Sequence, residues 1–512
     1  MFKRLFRKYI YKNVEDLYRQ ESSQEAIELK EQIVPANLEK TVDIFKKIYT
    51  YPDNKDLKFR DILIGGLNRK AVLVYINTIS DTTVLEEQVI TPLLLNRDPS
   101  QEIESIVSVQ SVATKEKINE VLNEINKGNA ALFVHGEKKA FIISASNFQG
   151  RGVEKAENEI SLLGSKEAFN EKVMTNISLI RKKIKNENLV FESTVIGKRS
   201  NNDAFIAYIK DLANDDLLKN VKERLNKIDV DSVQNLSLLE QHIEDRKLSL
   251  FPTILNTERP DRAAKFLEDG YIVLLMDNSP SSLVLPATFW SFFHSAEDQY
   301  LRLIYGNFTR ILRMVAIFIA LFASSVYVAV TTFHAEMVPP DLLLAIASTR
   351  EKVPLPAVIE VLTLEIAFEL LREAGLRVPT TIGSTIGIVG ALILGQAAVQ
   401  ANIVSPIVVV VVALEGLSSF TLGNISLNYS VRLLRFVFII ASGMFGIYGI
   451  TAIFVLGMFY MVSIKSFGVS YLSPLTPKYL SSGDTILRSK ITSEIFRPGY
   501  LKPKDIRKKQ EK

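Results

Sequence analysis

The chain has 512 residues, of which 47% are hydrophobic and 23% are charged, and its formal net charge is +4. So small an excess of positive charge gives no argument for nucleic-acid binding, and no nucleic-acid partner is expected. The chain contains no cysteine, which excludes disulfides, thiolate nucleophiles and cysteine-type metal sites.

Residues 1–37 are predicted to be an amphipathic and variable lead-in. Within Met1–Lys12, apolar residues recur at helical spacing with basic residues between them, which predicts an amphipathic basic helix. Such a helix could lie on an anionic membrane surface or dock on its own domain, and the sequence leaves both open. The segment lacks a continuous apolar core, so no signal peptide is expected.

Residues 38–150 are predicted to form a first small α/β subdomain. Helices are predicted from Asp81 to about Leu95 and over Lys115–Lys127. Four strands are predicted to pair as two hairpins. These strands are Phe59–Ile64 with Ala71–Ile76, and Ala130–His135 with Lys139–Ser144.

Residues 151–188 are predicted to be a helical connector, and residues 189–300 a second small α/β subdomain. The connector helix covers Glu154–Lys185 and ends in the basic run Arg181–Lys185, which is interpreted as a solvated face. Because strands and helices alternate in irregular order, mixed sheets are expected rather than a doubly wound parallel sheet. The predicted elements of the second subdomain are strands at Leu189–Gly197, Asp203–Ile209, Tyr271–Met276 and Leu283–Leu285, and helices at Asp216–Lys227, Asp231–Asp245 and Asp261–Glu268.

Residues 301–475 are predicted to be an α-helical, polytopic membrane domain, followed by a basic tail, 476–512. Ile311–Phe333 is long and apolar enough to cross a bilayer of about 30 Å. Arginines at its start and basic residues in the tail place residues 1–300 and the tail in the cytoplasm by the positive-inside rule, so the number of spans is even. The further apolar runs are Leu355–Leu371, Ile382–Val404, Ile407–Phe420 and Leu433–Ile464.

The span count depends on two of these runs. Leu433–Ile464 is either one long tilted helix or a hairpin of two short helices. Leu355–Leu371 carries glutamates and either spans or re-enters. Four spans are expected, with Leu355–Leu371 re-entrant and the last run crossing once; the other assignment gives six.

Small residues recur every fourth position within Ile382–Val404, which predicts close approach of helix backbones in lipid. These residues are Gly383, Gly387, Ala391 and Gly395. The pattern fits tight packing within one subunit. It also fits packing between subunits around a pore, where Ser384, Thr385 and Gln396 would offer polar atoms to passing ions.

Three glutamates lie in a strongly apolar neighbourhood, at Glu360, Glu365 and Glu369. A carboxylate facing lipid costs about 3 kcal/mol or more, so these groups must face protein, water or the interface. One interpretation is an acidic ring that selects cations. The other is an interfacial amphipathic helix, with Glu369 paired to Arg372 or Glu373 paired to Arg377.

The soluble half contains no P-loop, Rossmann fingerprint or nucleophile elbow, so no catalytic residue, cofactor-binding residue or metal ligand is assigned. Asp261 is interpreted as a helix-start residue. His294–Asp298 is interpreted as a capped helix before the membrane rather than as a metal cluster. Arg432 and Arg435 are interpreted as anchors at the membrane interface.

A set of short segments in fixed order carries a family resemblance over about residues 40–480. The segments are Phe251–Thr253, Thr257–Arg262, Ser295–Tyr300, Arg372–Gly375, Ile388–Val399, Arg435–Phe436 and Ser466–Pro474. Together they resemble the A-subunit family of bacterial spore germinant receptors. One departure is Gly164–Phe169, which reads Gly-Ser-Lys-Glu-Ala-Phe where that family usually has Gly-Pro-Arg/Lys-Glu-Gly-Phe, and it leaves the receptor subtype open.

The resemblance implies a non-enzymatic subunit in the spore inner membrane, without a cofactor. It implies partners: a transporter-like B subunit, a lipoprotein C subunit, membrane lipid and further copies of the chain, assembled as a pentamer. The assembly would be a nutrient-gated ion channel that releases monovalent cations to start germination. Two other functions stay open: a secondary transporter of a small solute or ion, and a membrane-anchored sensor or scaffold without conduction.

Overall fold

The computed structural model describes residues 29–148, 156–161, 163–377, 393–479, 481 and 484–509. In these ranges, two five-stranded sheets with their helices precede a group of apolar helices, and the C-terminal segment returns to the second sheet. The amphipathic helix predicted within Met1–Lys12 lies outside the described residues.

The first subdomain is a sheet covered by helices on both faces. The strand order is β1-β2-β4-β5-β3, and all of its pairings are antiparallel. α1 and α4 cover one face and α2 and α3 the other. The elements are β1 (Leu57–Ile64), β2 (Arg69–Ile76), β3 (Val112–Lys115), β4 (Ala130–Val134), β5 (Ala140–Ile143), α1 (Leu38–Ile48), α2 (Thr82–Leu85, a π-helical turn Glu86–Ile90, and Thr91–Leu95), α3 (Ile103–Ile106) and α4 (Ile118–Asn126).

The second subdomain repeats this topology. Its sheet has the order β6-β7-β9-β10-β8, again with antiparallel pairings. Both subdomains begin with a helix, place two helices between their second and third strands, and place one between their third and fourth. The elements are β6 (Leu189–Ile196), β7 (Asn202–Ile209), β8 (Leu255–Thr257), β9 (Ile272–Met276), β10 (Ser282–Leu285), α5 (Val173–Lys183), α6 (Asp215–Asn226), α7 (Leu236–Ile243) and α8 (Pro260–Glu268).

The expectation of mixed sheets is wrong, because every pairing among the described strands of both sheets is antiparallel. Short turns join β1 to β2, β4 to β5, β6 to β7 and β9 to β10, and strands joined in this way pair antiparallel. The hairpins predicted for the first subdomain are confirmed. The placement of Asp261 at a helix start is also confirmed, since it lies in the first turn of α8.

The connector differs from its prediction. Only α5 is helical in the described part of 151–188, and residues 156–161 and 163–172 form turns and extended chain. The interpretation of Arg181 as part of a solvated face is also wrong. Its side chain is buried and lies 2.7 Å from the Asp56 carboxylate in the first subdomain. The helix face that carries Arg181 is covered by a neighbouring subdomain, which local sequence does not indicate.

Two short helices lead from the second subdomain into the helical region, α9 (Phe289–Phe293) and α10 (Glu297–Tyr300). Two of the helices that follow, Leu303–Thr332 and Ile425–Ser463, are long and apolar enough to cross a membrane. The helices of this region are α11 (Leu303–Thr332), α12 (Pro340–Arg350), α13 (Ala357–Arg377), α14 (393–400), α15 (Pro406–Ser419) and α16 (Ile425–Ser463).

α16 is a helical hairpin rather than one straight helix. Gly446 has φ 62° and ψ −140°, a conformation that only glycine adopts readily. Ser430 and Tyr460 both hydrogen-bond to the backbone of Leu250, at 2.5 Å and 3.3 Å. Since 30 residues of straight helix span about 45 Å, these contacts require the chain to reverse at Gly446. The structure therefore shows the second of the two alternatives for Leu433–Ile464.

The other helices have definite directions relative to this hairpin. α11 starts beside the second subdomain, and His334, two residues after its end, lies against the hairpin tip at Gly446. In the first turn of α13, Val358 lies beside Gly443, near the tip. Farther along α13, Glu369 accepts a hydrogen bond from Arg432, which lies near the soluble subdomains. The end of the helical region beside the subdomains is called the soluble end, and the end at Gly446 the distal end.

The C-terminal segment packs on the second subdomain. Its strands β11 (Lys465–Ser466) and β12 (Val469–Ser470) form a short hairpin, and the hydroxyl groups of Tyr500 and Tyr271 lie 2.6 Å apart. One hydrophobic core joins this segment to the subdomain and to α11 and α16. The segment after α16 therefore lies on the same side of the helical region as the soluble subdomains.

Candidate functional site

Charged side chains from three apolar helices meet at one level of the helical region. α13 contributes Glu365 and Glu369, which are four residues apart and therefore share one face of the helix. α15 contributes Glu415. The first arm of α16 contributes Arg432 and Arg435. We call these residues, together with Arg372, the buried charge cluster.

Arg435 lies at the centre of the buried charge cluster. It is 2% exposed. Its Nη2 is 2.8 Å from Glu365 Oε2 and 3.1 Å from Glu369 Oε1, and its Nη1 is 4.0 Å from Glu415 Oε2. One guanidinium group thus binds helices α13 and α15 to α16.

Glu369 is shared by three arginines. Arg432 Nε donates to Glu369 Oε1 at 2.9 Å, and Arg372 Nη1 lies 3.5 Å from the same oxygen. Arg372 Nη2 also donates to Ser419 Oγ at 3.1 Å, at the end of α15. The cluster contains three carboxylates and three guanidinium groups, so their formal charges balance when all are ionised.

Ser324 connects α11 to the buried charge cluster. Glu415 Oε1 accepts a hydrogen bond from the Ser324 backbone N–H at 3.1 Å, and the other Glu415 oxygen accepts one from the Ser324 hydroxyl. The Ser324 hydroxyl also lies 3.5 Å from Glu365 Oε1. Polar contacts therefore join four helices in a region whose surface is otherwise largely apolar.

A separate pair lies nearer the distal end. Glu360 is fully buried and lies 3.2 Å from Arg350 Nε. It also accepts a hydrogen bond from the Ser405 backbone N–H at 3.0 Å. This carboxylate therefore joins α12, α13 and the start of α15.

The structure places all three predicted glutamates inside the group of helices and pairs each with arginine. Glu360 and Glu365 are fully buried, so the helix that carries them is not an exposed interfacial helix. The two proposed pairings do occur, at 3.5 Å for Glu369 with Arg372 and 2.7 Å for Glu373 with Arg377. Interpreting Arg435 as an interface anchor is wrong, because its guanidinium group is buried among carboxylates.

Sequence reasoning missed four members of these contacts: Ser324, Arg350, Ser405 and Glu415. Glu415 carries a usable signal, since it is the only charged residue in its apolar run. The others have no local signal, because each is defined by a partner at least 10 residues away in the chain.

The stripe of small residues lies largely outside the described residues, which exclude Gly383, Ser384, Gly387 and Ala391. Gly395 is buried, and a Cβ added there would lie 3.6 Å from Val409 of α15. Gln396 is exposed. The described part of the stripe therefore packs against α15 within the same chain.

A second group of charges joins the soluble half to α11. Asp298 is 1% exposed and lies 2.9 Å from Arg313 Nη1 and 3.3 Å from Arg310 Nε. Burial would raise the pKa of Asp298, but the hydrogen bond and charge of Arg313 outweigh it and hold the pKa below its usual value. Burial, with the charge of Arg310, lowers the pKa of the neighbouring His294 to about 4.

Known proteins match this chain over nearly its whole length. The family model for the Bacillus/Clostridium GerA spore germination protein matches residues 43–500. Spore germination protein KA of Bacillus subtilis (strain 168) is 40% identical over 461 residues, covering 88% of this chain and 85% of that protein. Spore germination protein GerLA of Bacillus cereus is 33% identical over 466 residues, covering 89% and 95%.

Among solved structures, a germinant receptor domain also aligns with the chain. It is the N-terminal domain of the A subunit of the Bacillus megaterium spore germinant receptor GerK3, with 28% sequence identity and a TM-score of 0.40. The alignment covers 50% of this chain and 98% of that one. The family match takes in both soluble subdomains and every helix of the helical region. The chain therefore belongs to the Bacillus/Clostridium GerA spore germination protein family.

Proposed function

We propose that this chain is the membrane-embedded A subunit of a spore germinant receptor, located in the spore inner membrane. The observation that carries the proposal is the family match over residues 43–500, which includes the buried charge cluster as well as the soluble subdomains. Its relatives are named spore germination proteins. The subunit carries no catalytic step; it assembles with a transporter-like B subunit and a lipoprotein C subunit.

In this proposal the chain crosses the membrane six times rather than four. The hairpin in α16 supplies two crossings, α11 runs toward the distal end, and α13 and α15 run back toward the soluble end. Ile382–Val404 supplies the remaining crossing. The contacts that hold the C-terminal segment to the second subdomain support an even number of crossings.

An impermeant thiol reagent tests the six crossings. The chain has no cysteine of its own, so single cysteines can be placed at will. Tyr448, 78% exposed beside the hairpin tip, should be labelled from the outer side as Tyr448→Cys. Lys465→Cys should react only after the membrane is permeabilised. Labelling of both variants from the outer side would contradict the six-crossing path.

The proposed activity is a nutrient-gated channel for monovalent cations, formed by five copies. The buried charge cluster binds α11, α13, α15 and α16 into one body in each subunit, against which Ile382–Val404 moves to line the pore. Nutrient bound at the B subunit would shift this equilibrium. A change from 1% to 99% open takes about 5.5 kcal/mol of differential affinity, which several subunits can share.

Cation flux from proteoliposomes that hold the assembled receptor tests the activity. A channel gives uncoupled flux on addition of nutrient, a secondary transporter gives coupled and saturable flux, and a scaffold gives none. Gly387→Leu should abolish flux, because leucine at a small-residue position prevents close helix approach. Gly457→Ala is the control, since a Cβ there meets no atom within 4 Å. Normal flux with Gly387→Leu would contradict the pore assignment.

A further inference from the structure

The loop Arg246–Leu250 connects α7 to β8 in the second subdomain and lies against the open end of the α16 hairpin. Both arms of the hairpin hold it. Arg246 donates from Nη1 to Ser463 Oγ at 3.0 Å and from Nη2 to the Ser463 carbonyl at 3.1 Å. Leu250 donates from its backbone N–H to the Tyr460 hydroxyl and accepts from the Ser430 hydroxyl. The loop is thus fixed at the level where α16 ends.

The middle of this loop presents an apolar side chain outward. Leu248 is 96% exposed, although Arg246 and Leu250, two residues before and after it, are held by hydrogen bonds. Two residues of extended chain reach at most about 7 Å, so Leu248 lies within that distance of Leu250 and close to the last turn of α16. On that last turn Phe459 is 70% exposed and Val462 is 50% exposed. Leu248 is therefore an exposed apolar side chain near the level at which the exposed apolar side chains of α16 end.

Two exposed lysines lie near this position. Lys247 precedes Leu248 and is exposed, and Lys465, two residues past the end of α16, is exposed as well. Protein–protein interfaces are depleted in lysine. A membrane interface, by contrast, suits a short apolar side chain flanked by lysines, because the lysines extend toward phosphates while the apolar group enters the acyl boundary. The composition favours lipid over a second copy of the chain.

We propose that Arg246–Leu250 is a membrane-interface anchor that buries Leu248 at the headgroup–acyl boundary of an anionic bilayer while Lys247 contacts lipid phosphates. The proposal rests on the membrane placement of α16 proposed above. It gives the second subdomain a direct contact with lipid in addition to its contacts with α11 and α16. Displacement of the subdomain relative to the helices would have to withdraw Leu248 from the bilayer.

Fluorescence from single labelled cysteines in the full-length protein tests the anchor. Leu248→Cys, Phe459→Cys and Leu95→Cys would each carry an environment-sensitive dye, in nanodiscs that contain phosphatidylglycerol and nitroxide-labelled lipid. Leu95 is 70% exposed on the first subdomain and serves as the aqueous control. The dyes at positions 248 and 459 should emit at shorter wavelength than the dye at position 95 and should be quenched by the nitroxide lipid. The dye at position 248 should be quenched most strongly when the nitroxide lies near the headgroup. The dye at position 95 should remain unquenched by lipid and open to aqueous iodide.

The outcomes separate this proposal from the one on which it rests. Quenching at 459 without quenching at 248 would overturn the anchor and leave the membrane placement of α16 intact. Quenching at neither position would overturn both. Protection of 248 from iodide without lipid quenching would show that protein covers it, which also overturns the anchor. Lys247→Gln should reduce quenching of the dye at position 248 in nanodiscs that contain phosphatidylglycerol, and should not change it in nanodiscs of neutral lipid. Equal quenching with and without Lys247 in the anionic nanodiscs would contradict the proposed phosphate contact.

Discussion

The soluble half and the helical half each bury an arginine, and they satisfy it in different ways. Arg181, between the two soluble subdomains, binds one carboxylate, Asp56, and two neutral acceptors, the Asn54 side chain and the Leu189 carbonyl. Arg435, among the apolar helices, faces three carboxylates. In a helix nearly every backbone carbonyl is already bonded, so a buried arginine must find side-chain partners. Strand ends and turns in the soluble half leave carbonyl groups free to accept.

The difference extends to how each arginine connects the fold. Arg181 joins two subdomains of the same topology across one interface. Arg435 holds α13 and α15 against α16, and Glu415 extends the contact to α11 through Ser324. Loss of the first should therefore loosen one interface, whereas loss of the second should leave Glu365 without its ion pair in an apolar setting.

The largest effect is expected for Arg435→Leu. Removing one partner of a buried ion pair costs about 3–5 kcal/mol, because the remaining charge stays buried without compensation. We expect a corresponding loss of stability in thermal unfolding of the detergent-solubilised protein. Arg377→Leu is the matched control, since its side chain is 79% exposed and its pair with Glu373 should contribute little. Equal stability of the two variants would refute a structural role for the cluster.

A smaller effect is expected for Arg181→Leu, about 2–3 kcal/mol. Asp56 keeps two hydrogen bonds from Thr78, at 3.1 Å and 2.9 Å, so its carboxylate is not left without donors. Hydrogen exchange should increase in β1 and α5 while the helical region keeps its protection. Arg199→Leu, at an arginine 83% exposed, should change neither. Exchange that increases throughout the chain would contradict a local role for this pair.

The smallest effect is a pH dependence of stability that comes from His294. This side chain is buried in its neutral form, whereas Arg181 and Arg435 are buried with paired charges. Burial lowers the pKa of His294 to about 4 from 6.5, so between these values the unfolded chain binds a proton that the folded chain does not. Stability is therefore full above pH 6.5 and falls as the pH decreases toward 4. By linkage the loss between pH 7 and pH 5 is up to about 2 kcal/mol.

Melting temperatures at pH 7 and pH 5 measure this effect. His294→Gln should remove most of the difference, and His242→Gln, at an exposed histidine, should retain it. If the His294→Gln protein keeps the full pH dependence, the buried histidine is not its source.

The parts of the fold that could be predicted from sequence are those with local causes. The hairpin of β1 and β2 follows from two apolar strands joined by a glycine-containing turn. The prediction of a helical connector was wrong, because contacts with distant residues hold part of this segment in a non-helical conformation. Glu159 binds Arg262, and Glu258 accepts hydrogen bonds from the backbone of Glu157 and Asn158.

The candidate site divides in the same way. Charge within an apolar run is a local signal, and it identified Glu360, Glu365 and Glu369. Their partners come from other helices, so neither Arg350 nor Ser324 could be assigned before the helices were placed. Arg435 was found but given the wrong environment, because a position near the start of an apolar run suits an interface anchor and a buried partner equally well.

By itself the sequence determined which segments are apolar, where charge interrupts them, and the family to which the chain belongs, because these properties depend on residue order alone. Only the tertiary structure decided that α16 turns back at Gly446, that the sheets are antiparallel, and that three arginines lie beside three carboxylates among the helices. Each of these depends on pairs of residues far apart in the chain. Such pairs form when packing brings elements together, and no local pattern records them.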